Sequence, residues 1–211
     1  MENSLRIAEP VALARPRGAH RFEAFSPKLA RRLTFYRRAL VEQWVLLEAD
    51  PAVITFCERP GYVNIDRQQR LADFWVRYVG RQELVILDDS RVDEKIAQSH
   101  RDLDAAALPI RRVGQAELAA ARVWIDNWQR MLPCIVANLS LVSPSVSRAI
   151  ERFLDHPQRL LSIEREFSTR DPVLVRTALF GLLHAGRVSA PDLHTQALSL
   201  LTSFVAAQAN S

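Results

Sequence analysis

Lysine is nearly missing from this chain of 211 residues: Lys28 and Lys95 stand against 26 arginines. Any chemistry that needs a lysine beside the reacting group has only these two positions to draw on. Cysteine is as scarce. Cys57 and Cys134 lie far apart with no C-x-x-C partner, which excludes a disulfide scaffold and a cysteine zinc site and leaves buried thiols in a reducing cytoplasm as the expectation. No uncharged apolar run approaches the roughly 18 residues of a membrane span, so none is expected. Residues 1–24 carry basic positions but no apolar h-region, so no secretory signal is expected either. There are no internal repeats and no low-complexity tracts.

What is present suits one compact domain or two small ones, with 48% apolar and 25% charged residues. The charge is uneven. Residues 1–40 hold nine basic residues against Glu2, Glu9 and Glu23, a net +6 in a chain of net +4, so residues 41–211 sum to −2. Arg15, Arg17, Arg21, Arg31, Arg32, Arg37 and Arg38 have the chemistry to follow the phosphate backbone of double-stranded DNA. The alternative is that arginine replaces lysine throughout the chain and these side chains are simply solvated.

Local patterns give a coarse layout. Residues 1–24, with Pro10, Pro16 and Gly18, lack periodicity and read as a flexible basic arm. Ser26-Pro27 reads as an N-cap and first helical position, and Leu29, Leu33, Tyr36, Leu40, Trp44 and Leu47 predict a helix over 27–49. A short strand at 53–56 ends before Pro60-Gly61. Residues 71–79 and 83–88, separated by a Gly80 turn, predict an antiparallel hairpin. A helix over 93–106, a strand over 108–113 and a second long helix over 115–132 follow. The expectation for residues 25–142 is an α/β domain, a mixed sheet flanked by helices. Residues 143–211 read as a C-terminal all-helical, winged-helix-like module: helices 145–154 and 157–167, then one opened by Asp171-Pro172 and closed by Gly186, then one from Pro191 through Phe204.

The candidate chemistry lies in three pieces: Glu42 on the first helix, Asp73 at the start of a strand, and the next strand, ELVILDDSR. Metal-dependent nucleases of the PD-(D/E)xK type are built this way. Carboxylates hold Mg²⁺, which polarises the scissile phosphate and activates water, and a lysine on the last strand positions that water.

Longer stretches carry a resemblance. ALVEQWVLLEADPAVITFCERP is similar to a run "S-x-x-E…L-x-x-D-P-x-V-x-x-F-x-x-Q-P", with Arg59 in place of glutamine. ADFWV sits where P-D-F-x-V is expected, and LPIRRVGQAEL resembles the strand and turn that follow. STRDPVLVRTALFGLLHAGRVSAPDLHTQALSLLTSF is similar to the C-terminal module. Together, over residues 25–204, the chain resembles TnsA, the endonuclease subunit of heteromeric cut-and-paste transposases. The resemblance implies a restriction-endonuclease-like fold, Glu42 and Asp73 as Mg²⁺ ligands, and integrase-type transposase and AAA+ ATPase subunits as partners, in the cytoplasm.

The third piece departs from the pattern. Where the family reads apolar–acid–apolar–Lys, the strand offers Val85-Ile86-Leu87-Asp88; a shifted register gives Asp89-Ser90-Arg91. Arginine holds a phosphate but stays charged and cannot deprotonate water. The expectation is a DNA- and partner-binding subunit with strand cleavage lost or impaired. Two alternatives stand beside it: an active endonuclease using Asp73, Asp89 and Arg91, with Asp88 nearby, and a stand-alone DNA-binding regulator. The last stretch, PDLHTQALSLLTSF, has no Arg or Lys, which favours protein docking over groove reading for the C-terminal module.

Overall fold

In the computed structural model of the chain, which describes residues 9–65, 68–88 and 108–207, Ser26 and Pro27 do not open a helix. Phe22–Ser26 is strand β1 and Arg31–Phe35 is strand β2; the two pair across a turn in which Ala30 takes a φ of 51°. The helix expected over 27–49 therefore begins only at α1, Arg38–Ala49. The reason is a coincidence of periods. Leu33 and Phe35 are both buried while Arg32 is exposed and Thr34 is less buried, an alternation of two that also fits steps of three and four. The Ser26 hydroxyl, expected as a cap, donates instead to the Glu48 carboxylate at 2.6 Å.

Residues 1–8 of the expected arm lie outside the described residues. The arm's last residues belong to β1, and Val11 is tied to Arg59 by its backbone N–H, which donates to the Arg59 carbonyl at 2.8 Å.

A four-stranded mixed sheet follows, built from β3 (Val53–Glu58), β6 (Phe74–Tyr78), β7 (Arg81–Leu87) and β8 (Ile110–Val113) in that spatial order. The β6–β7 hairpin is antiparallel as expected, with Tyr78 opposite Arg81 and Gly80 supplying the positive φ of 73° that the two-residue turn needs. β8 pairs parallel with β7 and forms the sheet edge, where Pro109 before it costs no ladder bond. Between β3 and β6 lies a pair absent from the sequence expectation, β4 (Tyr62–Ile65) and β5 (Gln68–Leu71), antiparallel. One set of sheet residues, Cys57, Trp75, Leu84 and Ile86, packs with Val63 and Ala72. Phe74 meets Phe35 and Phe56 with ring centroids 6.1 and 6.3 Å apart. The helix expected over 93–106 lies outside the described residues.

The helix expected over 115–132 is two: α2, Gln115–Ala120, and α3, Arg122–Asn138, broken at Ala121. α3 runs on past Pro133. The chain divides into two compact units near this break. The first contains most residues up to Ala119; the second takes Phe25–Pro27, Glu48–Pro51 and the chain from Ala120 onward. The division thus falls before the boundary expected at 142/143, because α3 packs against α6 (Pro172–His184) of the second unit.

Within the second unit, α4 (Pro144–Phe153), a short strand β9 (Gln158–Arg159), α5 (Leu160–Glu166) and α6 follow in order. Asp171 caps α6 as expected, its side chain accepting from the Val173 N–H at 2.8 Å. Gly186 ends it with a φ of 70°, where a Cβ would lie 2.7 Å from that of Pro51.

The helix expected from Pro191 to Phe204 does not form. That segment is a 3₁₀ turn, Pro191–His194, and a strand, β11 (Ser203–Ala206), which pairs antiparallel with both β10 (Val188–Ser189) and β9. Leu193 and Phe204 are buried at its two ends while Leu200 and Leu201 are exposed. Asn127 of α3 fixes the stretch between, donating to the carbonyls of Leu193 and Gln196 and accepting from the Leu198 N–H, each at 2.8 Å. The module is therefore mixed, not all-helical.

One buried polar cluster also belongs to this unit. Glu48, fully buried, accepts from Ser26 on Oε2, and Nε2 of His184 lies 3.0 Å from its Oε1. His184 also packs edge-on against Trp128.

Among the described residues no helix is long and apolar enough to cross a membrane.

Candidate functional site

The chain bends at Asp73 just before β6. The Asp73 N–H donates to the Val85 carbonyl at 3.1 Å and its own carbonyl accepts from the Arg59 N–H at 2.9 Å, so the backbone holds the residue from both sides. Its carboxylate is buried, and both oxygens are engaged. Oδ1 accepts from Arg37 Nη2 at 2.5 Å, and Oδ2 accepts from the Leu87 N–H at 2.8 Å. Arg37 stands immediately before α1, so the helix start delivers its guanidinium to the carboxylate. The Leu87 carbonyl in turn accepts from Arg70 Nη2.

Around this carboxylate the other expected site residues fare differently. With Phe74 opposite Val85, the next residue along β7, level with Asp73, is Ile86. It is fully buried in the apolar cluster with Trp75 and Leu84. Asp88, at the position expected for the lysine, is exposed, and its N–H donates to the Val113 carbonyl. Asp89 and Arg91 lie outside the described residues. Glu42 on α1, its side chain only 14% exposed, accepts from exposed Arg38 Nε at 2.9 Å, an i,i+4 pair.

A Mg²⁺ ion needs near-octahedral oxygen ligands, usually one or two carboxylates with waters. Here one carboxylate is neutralised by a guanidinium and a backbone amide, the other is paired with Arg38, and an isoleucine stands where a third would be. These residues do not fit the ion. Among the described residues no group of three or more His, Cys, Asp or Glu side chains is arranged to hold a metal.

Beside Asp73 opens a cleft of about 420 Å³ lined by Arg17, Arg37, Arg59, His20 and Tyr36 as well as by Asp73 itself. Arg59 is held rigidly in its wall. The residue has a φ of 48°; its Nε donates to the Val11 carbonyl at 3.0 Å and its Nη1 to the Thr34 carbonyl at 2.9 Å. Behind it, buried Glu58 takes a forked pair of bonds from Arg31 at 2.7 and 2.5 Å and lies 3.7 Å from Arg59 Nη2. The hydrogen bond that Arg31 donates to Glu58 raises its pKa above the ordinary value, against the lowering effect of burial.

No family profile matches the chain, and no curated protein matches it in sequence.

The seven arginines expected to follow DNA divide on this geometry. Arg21 pairs with Glu23, Arg31 with Glu58, Arg37 with Asp73 and Arg38 with Glu42. Arg15 donates to the Ala19 carbonyl. Arg17 and Arg32 are exposed and have no carboxylate partner among the described residues. Arg59, His20 and Tyr36 are not singled out as site residues by sequence reasoning. The one available signal is Arg59, a cation where the resemblance expects a glutamine.

Proposed function

We propose that the chain is a non-cleaving DNA- and partner-binding subunit of a bacterial transposition complex, with a TnsA-like, restriction-endonuclease-type core in which Mg²⁺-dependent cleavage has been lost. The Arg37–Asp73 pair carries this reading. A guanidinium sits against the carboxylate where the nuclease chemistry requires a divalent cation, and it can neither be displaced without cost nor activate water. What the residues around Asp73 retain is a positive surface suited to phosphate.

The second unit supports a partner-binding role. Its order α4-β9-α5-α6-β10-β11, with a three-stranded antiparallel sheet, is similar to a winged-helix module. In such a module the second helix of the helix pair would read DNA, but α6 is packed against α3, α4 and α5 and buries most of its residues. The first turn of α6 is exposed, but the helix's one arginine, Arg176, is paired with Glu164, so it offers a groove little positive charge. The segment from Val188 onward has no Arg or Lys and exposes Leu200 and Leu201, which suits a transposase or ATPase partner better than nucleic acid.

The test is duplex binding across a salt series, with a strand-cleavage assay alongside. If Arg15, Arg17 and Arg32 are the phosphate contacts, log K should fall with log salt at a slope of about −3, against about −6 if all seven arginines contact phosphate. No nicked strand should form with Mg²⁺ or Mn²⁺. A salt-independent affinity, or cleavage that Asp73→Ala abolishes, would sink the reading.

A further inference from the structure

We infer that the cleft beside Asp73 holds one unpaired nucleotide of a DNA strand, its phosphate on Arg17 and Arg59 and its base against Tyr36 and His20. This rests on the DNA-binding reading above and adds which form of DNA the core takes and where.

Size is the first argument. A cleft of about 420 Å³ lies in the range of small-ligand sites and admits a single nucleotide, whereas a stacked duplex has to shed a nucleotide before one can enter. Charge is the second. Arg17, Arg37 and Arg59 face one carboxylate, Asp73, and that carboxylate is already met by Arg37 at 2.5 Å. The Glu58 charge behind Arg59 is shared with Arg31, which makes the shorter contacts. The cleft thus keeps an excess of guanidinium charge, and an anion answers it.

Preorganisation is the third argument. Arg59 is locked by the Val11 and Thr34 carbonyls, so little side-chain freedom remains to be lost on binding. Tyr36 and His20 are the aromatic residues of the lining, and stacking on such rings tolerates any base, which makes the site sequence-tolerant. No metal takes part. Arg37 already neutralises the acid that a cation would otherwise screen.

The experiment uses the full chain and fluorescein-labelled oligo(dT), the same strand annealed to oligo(dA), and free dTMP as competitor. Oligo(dT) is expected to bind equally in EDTA and in Mg²⁺. Arg17→Gln, at an exposed position, and Tyr36→Leu should each weaken that binding about tenfold. Arg130→Gln, at an exposed position of α3 that does not line the cleft, should change single-strand affinity by no more than about twofold. Single-strand affinity unchanged by both Arg17→Gln and Tyr36→Leu would overturn the cleft site, and if duplex binding persists the DNA-binding reading stands without it. Single-strand binding that responds to both variants, with no duplex binding, would uphold the cleft and overturn the duplex reading. dTMP binding as tightly as the oligonucleotide would overturn the DNA strand as the source. Binding to none of the three would overturn both proposals.

Discussion

The Asp73→Ala variant should be less stable than the wild type by about 3 kcal/mol, because truncation leaves the part-buried Arg37 guanidinium and the buried Leu87 N–H without the oxygens that satisfy them. The figure sits at the lower end for a broken buried pair, since the Arg37 side chain is 26% exposed and water recovers part of its hydration. Urea denaturation reads the effect directly. The sign matters more than the size. Clustered metal-ligand carboxylates repel one another in the absence of the ion, so removing one leaves the protein as stable or more so. A carboxylate already neutralised by arginine behaves the opposite way. A midpoint unchanged or raised in Asp73→Ala would mean that the Arg37 pair contributes nothing to the fold.

In the second unit the larger loss is expected at Glu48. Both of its oxygens are engaged, by the fully buried Ser26 hydroxyl at 2.6 Å and by His184 Nε2 at 3.0 Å. Glu48→Ala removes the acceptor from two polar groups and opens a cavity at a fully buried position, at a cost of about 4 kcal/mol. For a chain of this length that corresponds to a fall of roughly 10 °C in Tm. Glu48→Gln keeps the volume and one acceptor oxygen and should lose less than half as much. Thermal unfolding of the two variants side by side would show it, and equal losses would mean that the carboxylate's charge and hydrogen bonding, not its volume, set the effect.

What could be read from the sequence was local. Asp171-Pro172 and Gly186 bracket α6 because a cap and a left-handed stop act on their own neighbours. The β6–β7 hairpin was legible for the same reason: Gly80 sets the turn and the turn sets the register. Failures came where distant residues decide. Ser26 looks like a cap until Glu48, 22 residues on, takes its hydroxyl. Leu33 and Phe35 fit two periods, and pairing with β1 selects the shorter. Pro191 to Phe204 shows helical spacing, but Asn127, more than 60 positions upstream, binds its backbone in a non-helical path.

The site follows the same rule. That Ile86 on β7 and Asp88 just after it stand where the resemblance expects an acid and a lysine is visible in the sequence. That Asp73 is neutralised by Arg37, 36 residues earlier, is not, because nothing in the spacing distinguishes an arginine that faces a phosphate from one that faces a carboxylate.

The central claim is that an arginine, not a metal ion, occupies the Asp73 carboxylate, and metal-linked stability tests it most directly. A divalent cation that bound the folded chain at about a hundred times its dissociation constant would add about 2.7 kcal/mol to stability. Urea denaturation of the wild type in Mg²⁺ or Mn²⁺, against EDTA at matched ionic strength, is predicted to give one and the same midpoint. A midpoint that rises with either ion, and no longer rises in Asp73→Asn, would contradict the account.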